Sequence, residues 1–236
     1  MKYKLSDICE YAKGKIKVSA LDENTYISTE NMIPNKGGIT KAASLPTQEQ
    51  TQTFMKNDVL VSNIRPYFKK IWYATFDGGC SNDVLVFRAK DGVNSRFLHY
   101  VLADDTFFDY SMATSKGTKM PRGDKKAIME YEVPELSYED QCKIAGILEV
   151  IDEKIELNTD INKNLEEQAV MLFRSWFSAF SLSPNSPRVN SEFGEIPEDF
   201  AVVKVGSLPM LVTDYVANGS FASLKANVNL YQEPNY

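Results

Sequence analysis

The sequence predicts an α+β fold, in which a mixed α/β domain is followed by one long coiled-coil helix. Three observations point to it. Short apolar and β-branched runs at residues 58–62, 71–76 and 83–88 are separated by Asp-Gly turn signals at 77–79 and 91–92. From residue 144 onward, apolar side chains recur alternately three and four residues apart. Across that region no proline occurs between residues 135 and 183, and Gly146 is the only glycine.

In the first region, Asn94-Ser95 ahead of Phe97, Leu98, Val101 and Leu102 reads as a capped short helix. Residues 34–38 and 115–123, rich in Gly, Pro, Ser and Thr, read as loops. After Pro134, Ser137-Tyr-Glu-Asp140 has the pattern of a helix start. The predicted helix runs over 139–180, about 60 Å at 1.5 Å per residue. Its seam is Ile144, Leu148, Ile151, Ile155, Leu165, Ala169, Leu172 and Trp176, interrupted by Asn158 and Asn162. Polar residues at such positions cost stability and fix register. The expected organisation is a domain over 1–136, the spacer helix over 137–180, a Pro/Ser linker over 181–192, and a further stretch over 193–236. Residues 203–208 faintly echo residues 3–8, so this last stretch reads as the start of a second copy of the first domain.

Charge is unevenly shared. The net −6 of the 236 residues divides into +2 for 1–136, −5 for 137–180 and −3 for 181–236. The acidic character therefore belongs to the helix and to the residues C-terminal to it, while the first domain carries local basic clusters of the kind a nucleic acid senses. Arg65, Lys69 and Lys70 form one. Lys116, Thr118, Lys119 and Arg122 form a second, in a loop with Thr114 and Ser115. Lys36 and Lys41 flank a third Gly-rich loop. Such side chains suit phosphate contact, although runs of this kind are also common as solvated surface.

Three well-separated cysteines, Cys9, Cys80 and Cys142, fit neither a disulfide framework nor a zinc site and suit a reducing cytoplasm. The N-terminus carries no apolar targeting run, and no stretch of 18 apolar residues exists, so no membrane span is expected. Catalytic motifs are missing. Residues 63–67 (Asn-Ile-Arg-Pro-Tyr) lack the Asn/Asp-Pro-Pro-Tyr/Phe pattern of amino-methyltransferases, and no Gly-rich loop follows a strand as a nucleotide or methyl-donor site needs. His99, the only histidine, is expected to pack. Asp152, Glu153 and Lys154 lie on different helix faces. No cofactor, metal or catalytic residue is expected.

Several stretches together resemble the DNA specificity subunits of type I restriction–modification systems. Residues 62–70 (Ser-Asn-Ile-Arg-Pro-Tyr-Phe-Lys-Lys) and 80–88 are similar to the middle of a target recognition domain, and residues 117–122 to its closing loop. Residues 133–136 and 139–148 resemble the entry to a spacer helix, residues 152–158 and 173–177 its body and end, and residues 193–197 the entry to a second recognition domain. The resemblance implies two recognition domains held apart by two antiparallel spacer helices, each reading half of a split target in double-stranded DNA. It also implies a subunit without catalytic activity of its own that recruits methyltransferase (modification) subunits and restriction subunits. Only about 40 residues come after the second entry, so the expected assembly is an antiparallel homodimer through the spacer helix. A reading from another class is a coiled-coil oligomerisation or adaptor protein whose α/β domain binds protein; an enzyme domain is a third.

Overall fold

A computed structural model of the chain describes residues 2–208 and separates them into two compact units, one reaching Ile161 and one beginning at Asn162. In chain order the first unit contains β1 (Lys2–Lys4), α1 (Leu5–Ile8), β2 (Cys9–Tyr11), β3 (Lys15–Lys17), β4 (Tyr26–Ile27), β5 (Gln50–Phe54), β6 (Val59–Ser62), β7 (Ile71–Tyr73), β8 (Gly78–Cys80), β9 (Val84–Ala89), α2 (Ser95–Ala103), α3 (Asp105–Ala113), α4 (Lys125–Ile128) and β10 (Glu132–Pro134). The long helix α5 (Tyr138–Phe173) begins in it.

Two four-stranded sheets form the frame. One has the order β2-β9-β6-β7, antiparallel throughout; the other is β3-β5-β8-β4, with β4 parallel to β8. Strand periodicity explains how the first sheet is covered on both faces. Val59, Val61, Leu85 and Phe87 point to one side, where Leu5, Leu98, Leu102, Phe107, Phe108 and Ile128 of the helices meet them. Leu60, Val84 and Val86 point to the other, against Ile27, Phe54 and Cys80 of the second sheet. The result is a helix layer, a central sheet and an outer sheet. A strand buried on both faces is a continuous apolar run, which is why 59–61 and 84–87 read as strands. At the mouth of β6, buried Asp58 accepts two bonds from Arg88, Nε to Oδ1 at 2.8 Å and a terminal nitrogen to Oδ2 at 2.7 Å.

The predicted caps are present. Asn94 Oδ1 accepts from the N–H of Phe97 at 2.9 Å and opens α2; Ser137 Oγ accepts from the N–H of Asp140 at 3.2 Å and opens α5. The first turns of α5 dock on α2 through a mostly polar face. Gln141 and Ala145 are buried, the Tyr100 hydroxyl donates to Asp152 at 2.7 Å, and Arg96 pairs with Glu149 at 3.0 Å while lying 4.0 Å over the Tyr73 ring. His99 packs edge-on to Tyr73 and Tyr100.

In the second unit, α5 ends earlier than the spacing predicts. At Phe173 the helix widens into a π-turn, Arg174–Ser178, closed by the Ala179 N–H on the Arg174 carbonyl at 2.8 Å. Phe173 and Phe177 stack at 5.1 Å across it, and Phe180, with φ +54°, stops the helix. Within the stretch read as a linker, Arg188–Ser191 (β11) forms a hairpin with Gly194–Pro197 (β12). Gly194, with φ +101°, adopts the turn conformation that glycine tolerates. Residues 3–8 form β1 and α1, whereas their echo at 203–208 contains a short 3-10 turn. From residue 209 the expected second copy lies outside the described residues.

Candidate nucleic-acid interface

The three basic loops, far apart in sequence, are hydrogen-bonded to one another. The N–H of Asn35 donates to the Phe68 carbonyl at 2.8 Å and that of Lys36 to Lys69 at 2.9 Å. On the other flank, the Arg65 N–H donates to Pro121 at 2.8 Å and the Gly123 N–H to Asn63 at 3.2 Å. The loop over 116–122 closes on itself through reciprocal backbone bonds between Lys116 and Arg122, both 2.9 Å. Segment 62–70 is thus the centre strip, with 34–38 on one side and 114–123 on the other. Together these segments hold seven Lys and Arg residues and no Asp or Glu.

The middle strip is a tight 3-10 turn, Pro66–Phe68, between two left-handed residues, Arg65 and Lys69, each with φ +51°. Asn35 and Lys36 are left-handed too, at +56° and +62°. Such conformations cost of order 1–3 kcal/mol each in side-chain-bearing residues and persist where the surroundings over-determine them. Gly123 is needed at the base of the third loop. A Cβ there would lie 2.8 Å from Ile128 Cδ1 and 2.9 Å from both Asn63 Oδ1 and Ser111 Oγ.

Carboxylates from neighbouring elements hold most of these cations. Asp105, at the start of α3, pairs with Lys36 at 2.7 Å and Lys69 at 2.9 Å; these two lysines hold its carboxyl below the usual range. Lys116 pairs with Asp124 at 2.6 Å and pulls that carboxyl down to about 2. Arg122 pairs with Asp83 at 3.1 Å. Lys70 is turned inward, its Nζ donating to the Thr29 carbonyl at 2.5 Å, and partial burial lowers its pKa. Lys119 and Thr118 are exposed at the loop tip, and Lys119 makes no ion pair among the described residues. Lys41 stands apart: it pairs with Glu23 at 2.8 Å and lines a small polar cavity of about 190 Å³ with Ser28, Glu30, Asn31 and Thr40.

Asp105 escaped the sequence reading, and Gly123, Tyr67 and Phe68 lay within stretches that it marked without being singled out. Asp105 had a faint signal in Asp104-Asp105-Thr106, where Asp104 caps α3 through the Thr106 N–H at 2.8 Å. Among the described residues no group of three or more His, Cys, Asp and Glu side chains is arranged to hold a metal ion, and no helix is long and apolar enough to cross a membrane.

The chain has counterparts among known proteins. Residues 1–167 match the family model described as the type I restriction modification DNA specificity domain. The chain belongs to that family. It is 36% identical over 121 residues to the type I restriction enzyme MjaIX specificity subunit of Methanocaldococcus jannaschii, covering 50% of this chain and 28% of that protein. It is 30% identical over 191 residues to the HindI specificity subunit of Haemophilus influenzae, covering 75% and 40%. In fold it is similar to the HsdS subunit of Thermoanaerobacter tengcongensis, with a TM-score of 0.53 at 16% identity over 81% of this chain and 50% of that one. The type I S subunit of M. genitalium gives 0.54 at 18% identity, over 80% and 51%. The chain therefore spans less than half the length of these two sequence relatives and about half that of the two structures.

Proposed function

We propose that this chain is a non-catalytic DNA-recognition unit of a type I restriction–modification complex, which directs methyltransferase and restriction subunits to a bipartite target. The domain over 1–136 reads one half-site, and the helix over 137–180 is the spacer that sets the distance to the other. The observation that carries this reading is the joining of the 34–38, 62–70 and 114–123 loops into one surface that contains cations and no carboxylate of its own. Within it, Lys36, Arg65, Lys69, Lys116, Thr118, Lys119 and Arg122 supply phosphate and groove-edge contacts; Lys70 supports the turn from beneath, and Lys41 lies off this surface.

The second half-site is read by a second copy. In the described residues Ile144, Ile151, Ile155, Leu165 and Leu172 are exposed along α5 and Trp176 in the π-turn after it, while Leu148 is half-buried beside the face that docks on α2. The complementary surface is the same seam on another chain, packed antiparallel so that the two recognition domains lie at opposite ends.

Binding to a duplex at several salt concentrations tests the reading. The Lys116→Ala/Lys119→Ala/Arg122→Ala variant is expected to bind more weakly and to flatten the dependence of log K on log salt by up to about 0.9 for each phosphate that it no longer neutralises. An unchanged slope in a folded variant would remove this loop from the interface. The chain alone is expected neither to methylate nor to cleave that duplex; robust methyl transfer without a co-purifying subunit would refute the assignment.

A further inference from the structure

Tyr67 and Phe68 are 48% and 37% exposed, belong to none of the three core clusters, and occupy the tip of the turn in the middle of the cationic surface. Their rings contact each other at 4.7 Å, and Lys70 Nζ lies 5.8 Å from the Phe68 ring. The turn beneath them is fixed. Phe68 and Lys69 donate back to Arg65 and Pro66 at 2.9 and 2.8 Å, and the bonds from Asn35, Lys36 and to Pro121 tie both ends to the neighbouring loops. Two left-handed residues flank it. The turn packs against α3, yet both rings stay partly exposed at a strained, three-way junction.

We propose that Tyr67 and Phe68 form an apolar wedge that packs against, and partly unstacks, a base step of duplex DNA while the surrounding cations hold the adjacent phosphates. This rests on the DNA-binding reading above. Charge complementarity selects the occupant: the segments around the wedge carry seven Lys and Arg against the three carboxylates that pair with them, Asp83, Asp105 and Asp124, a net positive surface that suits a polyanion with apolar faces between its charges. Apolar side chains inserted at a base step kink the duplex and read its deformability rather than its hydrogen-bonding edge. Ring–base contact displaces no counterion, so the wedge adds affinity without adding salt dependence.

Two duplexes identical except for one central mismatch test this, because a mismatch lowers the cost of unstacking in advance. The wild-type chain is expected to bind the mismatched duplex about tenfold more tightly than the paired one, with equal salt slopes. The Tyr67→Ala/Phe68→Ala variant is expected to bind both alike, with the wild-type slope. Tyr67→Ala alone, at the more exposed ring, carries the same comparison should the double variant unfold. 2-Aminopurine beside the mismatch is expected to brighten on binding wild type and not the variant. A wild type that binds both duplexes equally, or a folded variant that keeps the preference, overturns the wedge and leaves DNA binding standing. A variant that binds more weakly and also has a flatter salt slope overturns it too, since the turn would then serve only the cations. A wild type that binds neither duplex overturns the DNA reading and the wedge with it.

Discussion

The backbone N–H of Lys36 donates to the carbonyl of Lys69 at 2.9 Å, and the side chains of the same two residues converge on Asp105 at 2.7 and 2.9 Å. One carboxylate at a helix start therefore holds two loops and partly neutralises the charge they present. A phosphate that takes those lysines competes with Asp105 for them.

Asp105→Asn is expected to raise affinity for a duplex of arbitrary sequence about twofold to fivefold, the scale of an exposed ion pair. The salt slope should steepen by up to about 0.9 for each lysine that gains a phosphate. Fluorescence anisotropy at several salt concentrations reads both quantities. Unchanged affinity and slope would mean that neither lysine reaches DNA.

The pair of Asp58 and Arg88 is buried on the acid's side and 32% exposed on the arginine's. Asp58 also accepts from the Met55 N–H at 2.8 Å, so its removal strands two kinds of donor. Removing one partner of a buried pair costs about 3–5 kcal/mol, and the partial exposure of Arg88 places Asp58→Ala near the low end. Denaturant unfolding should show a loss of about 3 kcal/mol, a fall in Tm of roughly 6–12 °C for a chain of this size. A loss under about 1 kcal/mol would show that the bidentate pair is not maintained in solution.

His99 gives the fold an acid sensitivity. Burial, and then the nearby Arg96 charge, push its imidazole down to about 4, and its Nδ1 has no hydrogen-bond partner. The unfolded chain binds the proton near pH 6.5 and the folded chain only near 4. Stability is therefore unaffected above 6.5, falls between 6.5 and about 4, and falls no further from this group below that. The whole loss is up to about 3 kcal/mol. Thermal melts at about pH 7 and about pH 4.5, on either side of most of that window, should show a larger decrease for wild type than for His99→Phe. Equal decreases would mean that the imidazole is hydrated in the folded state.

The frame was legible where periodicity and burial coincide. Residues 59–61 and 84–87 are apolar on consecutive positions because both faces of β6 and β9 are covered, and Asn94 and Ser137 announce their helices by capping them. The cations were legible as residue types. Their convergence was not, because it depends on backbone bonds such as Arg65 to Pro121, which carry no side-chain signature. Nor was their neutralisation, since Asp83 opens a run read as a strand while Asp105 and Asp124 fall outside every stretch read as an element. The π-turn at 174–178 was hidden because Phe173, Trp176 and Phe177 continue an apolar helical pattern while the hydrogen bonds widen beneath it.

The seam over residues 144–176 has a symmetry that suits the proposed antiparallel pairing. Asn158 and Asn162, Ile155 and Leu165, Ile151 and Ala169, Leu148 and Leu172, and Ile144 and Trp176 are each placed at equal distances on either side of Asp160. An antiparallel pair of helices whose two-fold axis passes at Asp160 would therefore set the apolar seam residues of α5 from Leu148 to Leu172 against one another and amide against amide, while Trp176, opposite Ile144, lies in the π-turn beyond the helix. A parallel pair would also match each residue to itself, but would put both recognition domains at one end. Burying one Ile or Leu side chain contributes roughly 1.5–3 kcal/mol, enough over several pairs to drive association against its ordering cost. Ile151→Asp/Ile155→Asp is expected to sediment as a monomer and to lose tight duplex binding, whereas the wild type is expected to be dimeric at tens of micromolar (a range in which even a weak interface registers). The geometry has its own readout. In a Cys142→Ser background, Ile155→Cys/Leu165→Cys is expected to form a disulfide between copies, while Ile144→Cys alone is not, because antiparallel packing separates the two copies of position 144 by most of the helix length. A chain monomeric at that concentration, or efficient crosslinking through position 144 alone, would exclude the antiparallel pair.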